Sequence, residues 1–289
     1  MGIRKPIVAG QFYEADFNGL NKQIIECFES EKGPGALPIN KRNGFVLGVI
    51  VPHAGYLFSG PCAAWSYKEI AESEFPDLFI IIGPNHSGIG RTSTILDDWE
   101  TPFGLVKADK EFGKKLINNS FIIEDATAHR HEHSIEVQLP FLQFVSKDYL
   151  KDLRFIPITI GFNQNVKEIA SGIKKTIEES GKKVCIIASS DFTHYGFSYG
   201  YVPFSTNIKE NIQKLDNGAI NFIKALDSDG FLNYVKVKEA TICGAVPIAI
   251  LIELMKDKAE KVNLMQYYTS ADIMGDYNNA VGYASIIFK

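Results

Sequence analysis

Three short aliphatic runs limit most strongly how this chain can fold, because each ends in a polar turn that carries a histidine. Phe45 to Val51 leads into Pro52-His53-Ala54-Gly55-Tyr56, Leu78 to Ile82 into Gly83-Pro84-Asn85-His86, and Val184 to Ala188 into Ser189-Ser190-Asp191-Phe192-Thr193-His194. Runs that are apolar at successive positions suit strands covered on both faces, the condition of a parallel sheet between helix layers. In open α/β sheets ligands bind in the crevice beyond the carboxyl ends of the strands. A single histidine there is most often a packed or loop residue. Three at the same place relative to three strands point to a converging group, either a metal site or a proton-transfer site.

Between these runs the chain alternates helix and strand. Apolar positions Phe17, Leu20, Ile24, Ile25 and Phe28 predict a helix over 16–30, with Asp16 as its cap. Gly60-Pro61 predicts a helix start and a helix over 62–72. STIL and FGLVK, on either side of Asp97 to Pro102, read as a hairpin in which Trp99 packs. Further helices are expected over 109–118, 166–180 with Gly181 as its stop, 208–225, a short one from 226–229 onward, and an apolar one running to Lys256. Strands are expected over 154–161, 266–270 and 280–288. No repeat of fixed period or low-complexity stretch interrupts the pattern. The fold class is therefore α/β, a single-domain layered sandwich over 1–289 with a central, mostly parallel or mixed sheet flanked by helices.

With 289 residues, 45% of them hydrophobic and 22% charged, the chain can bury one large core and is not a disordered sequence. A net charge of -4 gives no basic footprint, so nucleic acid is not an expected partner. No apolar segment approaches the ~18 residues that a spanning helix needs, and the N-terminal residues lack a signal-peptide run, so no membrane association is expected. Cys27, Cys62, Cys185 and Cys243 are far apart and form no CxxC pair. That spacing argues for a reducing compartment, and the expected location is the cytoplasm.

The densest group of ionisable residues is Ala128-His129-Arg130-His131-Glu132-His133-Ser134-Ile135-Glu136. It lacks the spacing of the HExxH zinc helix. His133 and Glu136, one helical step apart beside Ile135, Val137 and Leu139, are expected to point inward. His129 and His131 are expected to face solvent. Cys243 stands at the mouth of the apolar helix, where a helix N-terminus favours the thiolate that metal ligation and nucleophilicity require. A lone cysteine is otherwise most often an inert buried hydrophobe.

Six segments together carry a family resemblance: AGQFY at 9–13, VPHAGY at 51–56 with Ser59-Gly60, GPNH at 83–86, EHSIEVQLPF at 132–141, SSDFTHYG at 189–196 and TICGAVP at 241–247. On these the chain resembles the Memo proteins over nearly its whole length. The resemblance implies a fold similar to the class III extradiol (LigB-like) ring-cleaving dioxygenases, whose non-haem iron is held by two histidines and a carboxylate. It implies a metal pocket made by His53, His86 and Cys243, with His194 at the acid/base position, Asp191 beside it, and Phe12 and Tyr56 near the cleft. Thiolate in place of carboxylate shifts the metal preference toward copper(I) or zinc, while the resemblance implies iron or copper, so iron or copper is the expected cofactor and zinc also fits. Two function classes follow: a metal-dependent oxidoreductase or redox role, and a non-catalytic module that holds a peptide or protein in the same cleft. Prokaryotic relatives are also grouped with a radical-SAM-associated system. Zinc hydrolysis with His194 as base has less behind it, for no carboxylate pair or oxyanion-hole pattern accompanies it.

Overall fold

The computed structural model describes residues 2–161 and 164–289. In chain order its first half carries strand Ile3–Arg4 (β1), helix Phe17–Glu29 (α1), strand Gly48–Val51 (β2), helix Tyr56–Glu72 (α2), strands Leu78–Pro84 (β3), Ser93–Thr94 (β4), Asp98–Thr101 (β5) and Gly104–Ala108 (β6), helix Lys110–Asn119 (α3), strand Ile123–Glu124 (β7) and helices Ala126–Arg130 (α4) and Gln138–Val145 (α5). The second half carries Arg154–Ile160 (β8), Val166–Ser180 (α6), Val184–Ser189 (β9), His194–Gly196 (β10), Ile208–Lys224 (α7), Ser228–Lys238 (α8), Ala245–Met255 (α9), Val262–Thr269 (β11), Ala271–Met274 (α10) and Asn279–Phe288 (β12).

Among the described residues the strands join one twelve-stranded mixed sheet, ordered β1-β5-β6-β8-β3-β9-β2-β12-β10, with β11 on β12, and β4 pairing with both β7 and β8. Its centre, β8-β3-β9-β2, is parallel, and β12 closes it antiparallel on β2. Every residue of β2, β3 and β9 is buried, as the continuous apolar runs require. Strand alternation splits them between two cores. Ile50, Ile80, Ile82, Ile158 and Ile186 pack with residues of α3, α6, α7 and α9. Val49, Val51, Phe79, Ile81 and Ile187 pack with α1, α2 and α5 on the other face. Each fully buried aliphatic side chain contributes roughly 1.5–3 kcal/mol, so the central strands are the most strongly held part of the fold.

Helix ends follow local chemistry. Asp16, Asp109, Asn165 and Asp227 each accept a backbone N–H at the start of α1, α3, α6 and α8, and Gly181 at φ 65° closes α6 in the left-handed conformation. Several boundaries differ from the sequence reading, β11 for one beginning at Val262 where 266 was expected. α2 begins at Tyr56, so Pro61 lies inside the helix. The backbone bond that it forgoes is to the Leu57 carbonyl, and Leu57 stands on the exposed side of the helix. The hairpin is β5 with β6, Trp99 opposite Val106, and the first piece, Ser93–Thr94, pairs with β7 and β8 instead. Trp99 packs, fully buried, with Arg4 over its ring and Phe155 against its edge. No helix of the described residues is long and apolar enough to cross a membrane.

Candidate metal centre

The parallel strands β2, β3 and β9 end at the same edge of the sheet, and the turns that follow them bring three histidines together. The His53 and His86 rings stand 5.1 Å apart, edge to face. Cys243 enters from the turn before α9, and its Sγ lies 3.2 Å from His53 Nε2. His53, His86 and Cys243 form one group whose ligand atoms lie within 4.8 Å of one another, and Asp191, His194 and Cys243 form a second. Sγ of Cys243 is common to both, so one atom from each of these five residues meets around it.

The ring orientations are set from behind. His53 Nδ1 lies 2.9 Å from Ser189 Oγ, whose own proton goes to the Ser134 carbonyl at 2.6 Å while Gln138 Nε2 donates to it at 2.8 Å. Ser189 therefore accepts from His53, which puts the ring proton on Nδ1 and leaves Nε2 with a lone pair toward Cys243. His86 presents Nδ1 to Glu132 Oε1 at 3.0 Å, and its backbone N–H donates to Glu132 Oε2 at 2.6 Å. His194 Nδ1 faces the Phe192 and Thr241 carbonyls at 2.9 and 3.0 Å. All three imidazoles are tied at Nδ1, the arrangement in which metal-binding histidines are oriented by outer partners.

Electrostatics separates the groups. Burial, then the neighbouring His86, His133 and His194, pushes the His53 pKa well below its ordinary value, so the ring is neutral. Burial also lowers His86, but the hydrogen bond and charge of Glu132 outweigh it and the net shift is upward. Glu132 is opposed by burial yet held down at about 2 by the His86 hydrogen bond and charge. His133, stacked on His86 with ring centroids 4.7 Å apart, is lowered by burial to about 4. Burial raises Asp191 despite the His194 charge and the His53 N–H that it accepts at 2.8 Å.

Cys243 corrects an expectation. It stands one residue before the Gly244 cap of α9 and accepts the Asp191 N–H at 3.3 Å, yet desolvation and the Asp191 carboxylate push its thiol pKa up. A helix end contributes ~0.3–1 kcal/mol, less than the loss of water around a thiolate. A bound cation would supply the missing positive charge, because a coordinating thiol is deprotonated outright. The donor set of neutral, pre-oriented imidazoles and one soft sulfur fits a transition metal.

Above the ligand atoms opens a cavity of about 440 Å³, with His53, His86, His133, Asp191 and His194 in its wall alongside Phe12, Phe58, Tyr199, Met274, Val281 and Tyr283. Phe12 lies in this wall and meets the His133 ring edge-on at 4.8 Å. Tyr56 does not line it: as the first residue of α2 it turns into the core, its hydroxyl on the Val137 carbonyl at 2.7 Å and its ring against Phe141. Glu136, expected to support the metal site, is buried and instead binds Arg4 at 2.6 Å, the Tyr13 hydroxyl at 2.8 Å and the backbone of Ile7 and Val8. It anchors the segment that carries Phe12. His129 is fully buried, contrary to expectation, because α4 turns it against Ser93 and Thr159, whereas His131 is exposed. Glu132, Ser189 and Gln138 were missed by sequence reasoning. Glu132 lay in the His-rich cluster and Ser189 in the third strand's turn, but nothing local marks either as a histidine's partner.

Comparison with known proteins gives a family match over nearly the whole chain. A family described as Memo-like protein matches residues 4–287. A MEMO1 family protein of Methanopyrus kandleri is 42% identical over 293 residues, covering 99% of each chain. One of Methanobrevibacter smithii is 39% identical, covering 99% of this chain and 100% of its own. One of Methanothermobacter thermautotrophicus is 37% identical, covering 98% and 99%.

Proposed function

The chain belongs to the Memo family, and from that premise we propose that it binds a transition metal through His53, His86 and Cys243, with iron or copper favoured and zinc also accommodated. The observation that carries this reading is the convergence of ligand atoms from His53, His86, Asp191 and His194 within 4.8 Å of Cys243 Sγ. When bound, such a metal supplies Lewis acidity or a redox couple at the cavity floor. The side chains supply the rest. His194, held at Nδ1 by two carbonyls, offers Nε2 as a proton acceptor or donor at the cavity wall, and Asp191 holds the His53 backbone in place. The test is element-resolved metal analysis of anaerobically purified protein beside Cys243→Ser. A stoichiometric transition metal in the wild type and its loss in the variant are expected; equal metal content in both overturns the site.

A second reading, a binding module using the same cavity, is favoured by the wall composition. Phe12, Phe58, Tyr199, Met274 and Tyr283 give it an apolar and aromatic lining, and no lysine or arginine contributes among the described residues. Such a wall accepts an apolar side chain of a peptide and offers no partner to a polyanion. Peptide binding undiminished in metal-free Cys243→Ser puts this reading first.

A further inference from the structure

The polar residues in the wall of the cavity above His53 divide by whether anything already occupies them. His53, His86 and His194 are each tied at Nδ1, Ser270 Oγ accepts the Val281 N–H, and Asn279 Oδ1 accepts the Ser198 N–H. His133 is not tied. Its Nδ1 stops 3.6 Å from Glu132 Oε1, beyond hydrogen-bond distance, and that oxygen already accepts from His86 Nδ1 and the Ser134 N–H. Neither ring nitrogen of His133 has a hydrogen-bond partner among the described residues, and neither is sealed from solvent. The ring itself is fixed: it stacks on His86 at 4.7 Å, meets His53 edge to face at 5.5 Å and packs on Phe12 at 4.8 Å. A ring immobilised by aromatic packing with both nitrogens open is a pre-oriented hydrogen-bonding group.

The second untied group is Tyr199. Its ring meets His194 at 5.1 Å with 77° between the planes, and its hydroxyl makes no hydrogen bond among the described residues. The two open groups therefore flank the converging ligand atoms, His133 beside His86 and Tyr199 beside His194. Phe12, Phe58, Met274 and Val281 make much of the remaining wall apolar. With no lysine or arginine in that wall among the described residues, an anion entering the cavity finds positive charge only at the metal position.

We infer that His133 and Tyr199 select the ligand of this cavity, a small 2-hydroxycarboxylate with an apolar substituent. The inference rests on the metal reading above. The carboxylate binds the metal that His53, His86 and Cys243 would hold and accepts from the Tyr199 hydroxyl. The 2-hydroxyl meets His133, and because a hydroxyl both donates and accepts it matches either tautomer of that ring. The apolar body lies against Phe12, Phe58 and Met274, and about 440 Å³ holds one substituted ring.

The test uses the full chain loaded with cobalt(II), which reports metal and ligand separately. A thiolate ligand gives a sulfur-to-cobalt charge-transfer band, and a carboxylate that joins the coordination changes the visible d–d bands. The probe is mandelate, with phenylacetate as the control lacking the hydroxyl and methyl mandelate as the control lacking the charge. Saturable binding of mandelate is expected, about ten-fold tighter than phenylacetate, the loss of one hydrogen bond, and methyl mandelate should leave the spectrum unmoved. His133→Phe keeps a ring between Phe12 and His86 and removes both nitrogens. Cobalt binding should be unchanged in it while the preference for mandelate over phenylacetate vanishes, and His133→Gln should restore part of that preference. Tyr199→Phe should weaken mandelate and phenylacetate by the same factor. A cobalt spectrum unmoved by mandelate, phenylacetate binding as tightly, or a preference that survives His133→Phe overturns the inference and leaves the metal reading standing. So does loss of cobalt from His133→Phe, which would make His133 a metal ligand with His86 and Glu132. Absence of the charge-transfer band from the wild type overturns both.

Discussion

Cys243 Sγ and His53 Nε2 lie 3.2 Å apart, although 190 residues separate them in the chain. A thiol and a lone-pair nitrogen at that distance form a weak hydrogen bond, and on the proposed reading they would be two adjacent ligands of a bound metal. Cys243→Ser should therefore cost more metal affinity than the ~10–100-fold carried by outer partners of a metal site, while the fold persists. Cys62→Ser and Cys185→Ser, both at fully buried positions outside the groups of converging ligand atoms, should leave affinity unchanged. Anaerobic calorimetry with ferrous iron and with copper(I) reads the difference.

Glu132 orients His86 at Nδ1 and at its backbone N–H. Glu132→Gln keeps the shape but removes the charge, so metal affinity should fall ~10–100-fold. Affinity equal to wild type would mean that His86 is positioned by its stack on His133 alone.

Gly244 leaves room for the turn that delivers Cys243: a Cβ there would stand 2.4 Å from Ser190 Cβ and 2.7 Å from the Ser189 carbonyl oxygen. Gly244→Ala should destabilise by ~1–3 kcal/mol, as overpacking does, and lower metal affinity with it. Chemical denaturation and metal titration on the same sample check both.

Arg4 and Glu136 form a buried ion pair that ties down the segment carrying Phe12. Glu136→Gln leaves the guanidinium without its counter-charge and should cost ~3–5 kcal/mol. Limited proteolysis should then cut first within the N-terminal residues.

Asp216 accepts from the Thr193 hydroxyl at 2.5 Å and the Tyr267 hydroxyl at 2.7 Å, and burial outweighs these bonds to raise its pKa from 3.8 to about 6. Between those values the folded chain keeps a proton that the unfolded chain has lost, so this group's contribution to stability falls as pH rises from about 4 to about 6 and is flat outside that window. Two pKa units correspond to roughly 3 kcal/mol. Asp216→Asn should remove that slope, measured as the pH dependence of the denaturation midpoint. An unchanged slope would place the titration elsewhere.

The layered architecture was legible because its determinants are local. Continuous β-branched runs dictate doubly covered strands, and Asp16, Asn165 and Gly181 act on backbone groups within four residues of themselves. The three strand-end histidines could be read as one group because parallel strands in one sheet deliver their following turns to the same edge. Residues whose roles depend on what approaches from far along the chain could not be read that way. Tyr56 stands in the VPHAGY segment three residues after His53, but Phe141 and Val137 draw it into the core. His129, His131 and His133 alternate in sequence, but helix α4 and the turn after it send the first inside, the second to solvent and the third onto His86. Sequence alone determined which residue types stand at the ends of buried strands, since that follows from periodicity. Tertiary packing alone decided that Ser189, Glu132 and two carbonyls would occupy Nδ1 of the three rings, because the tautomer of an imidazole is set by whichever distant group reaches it.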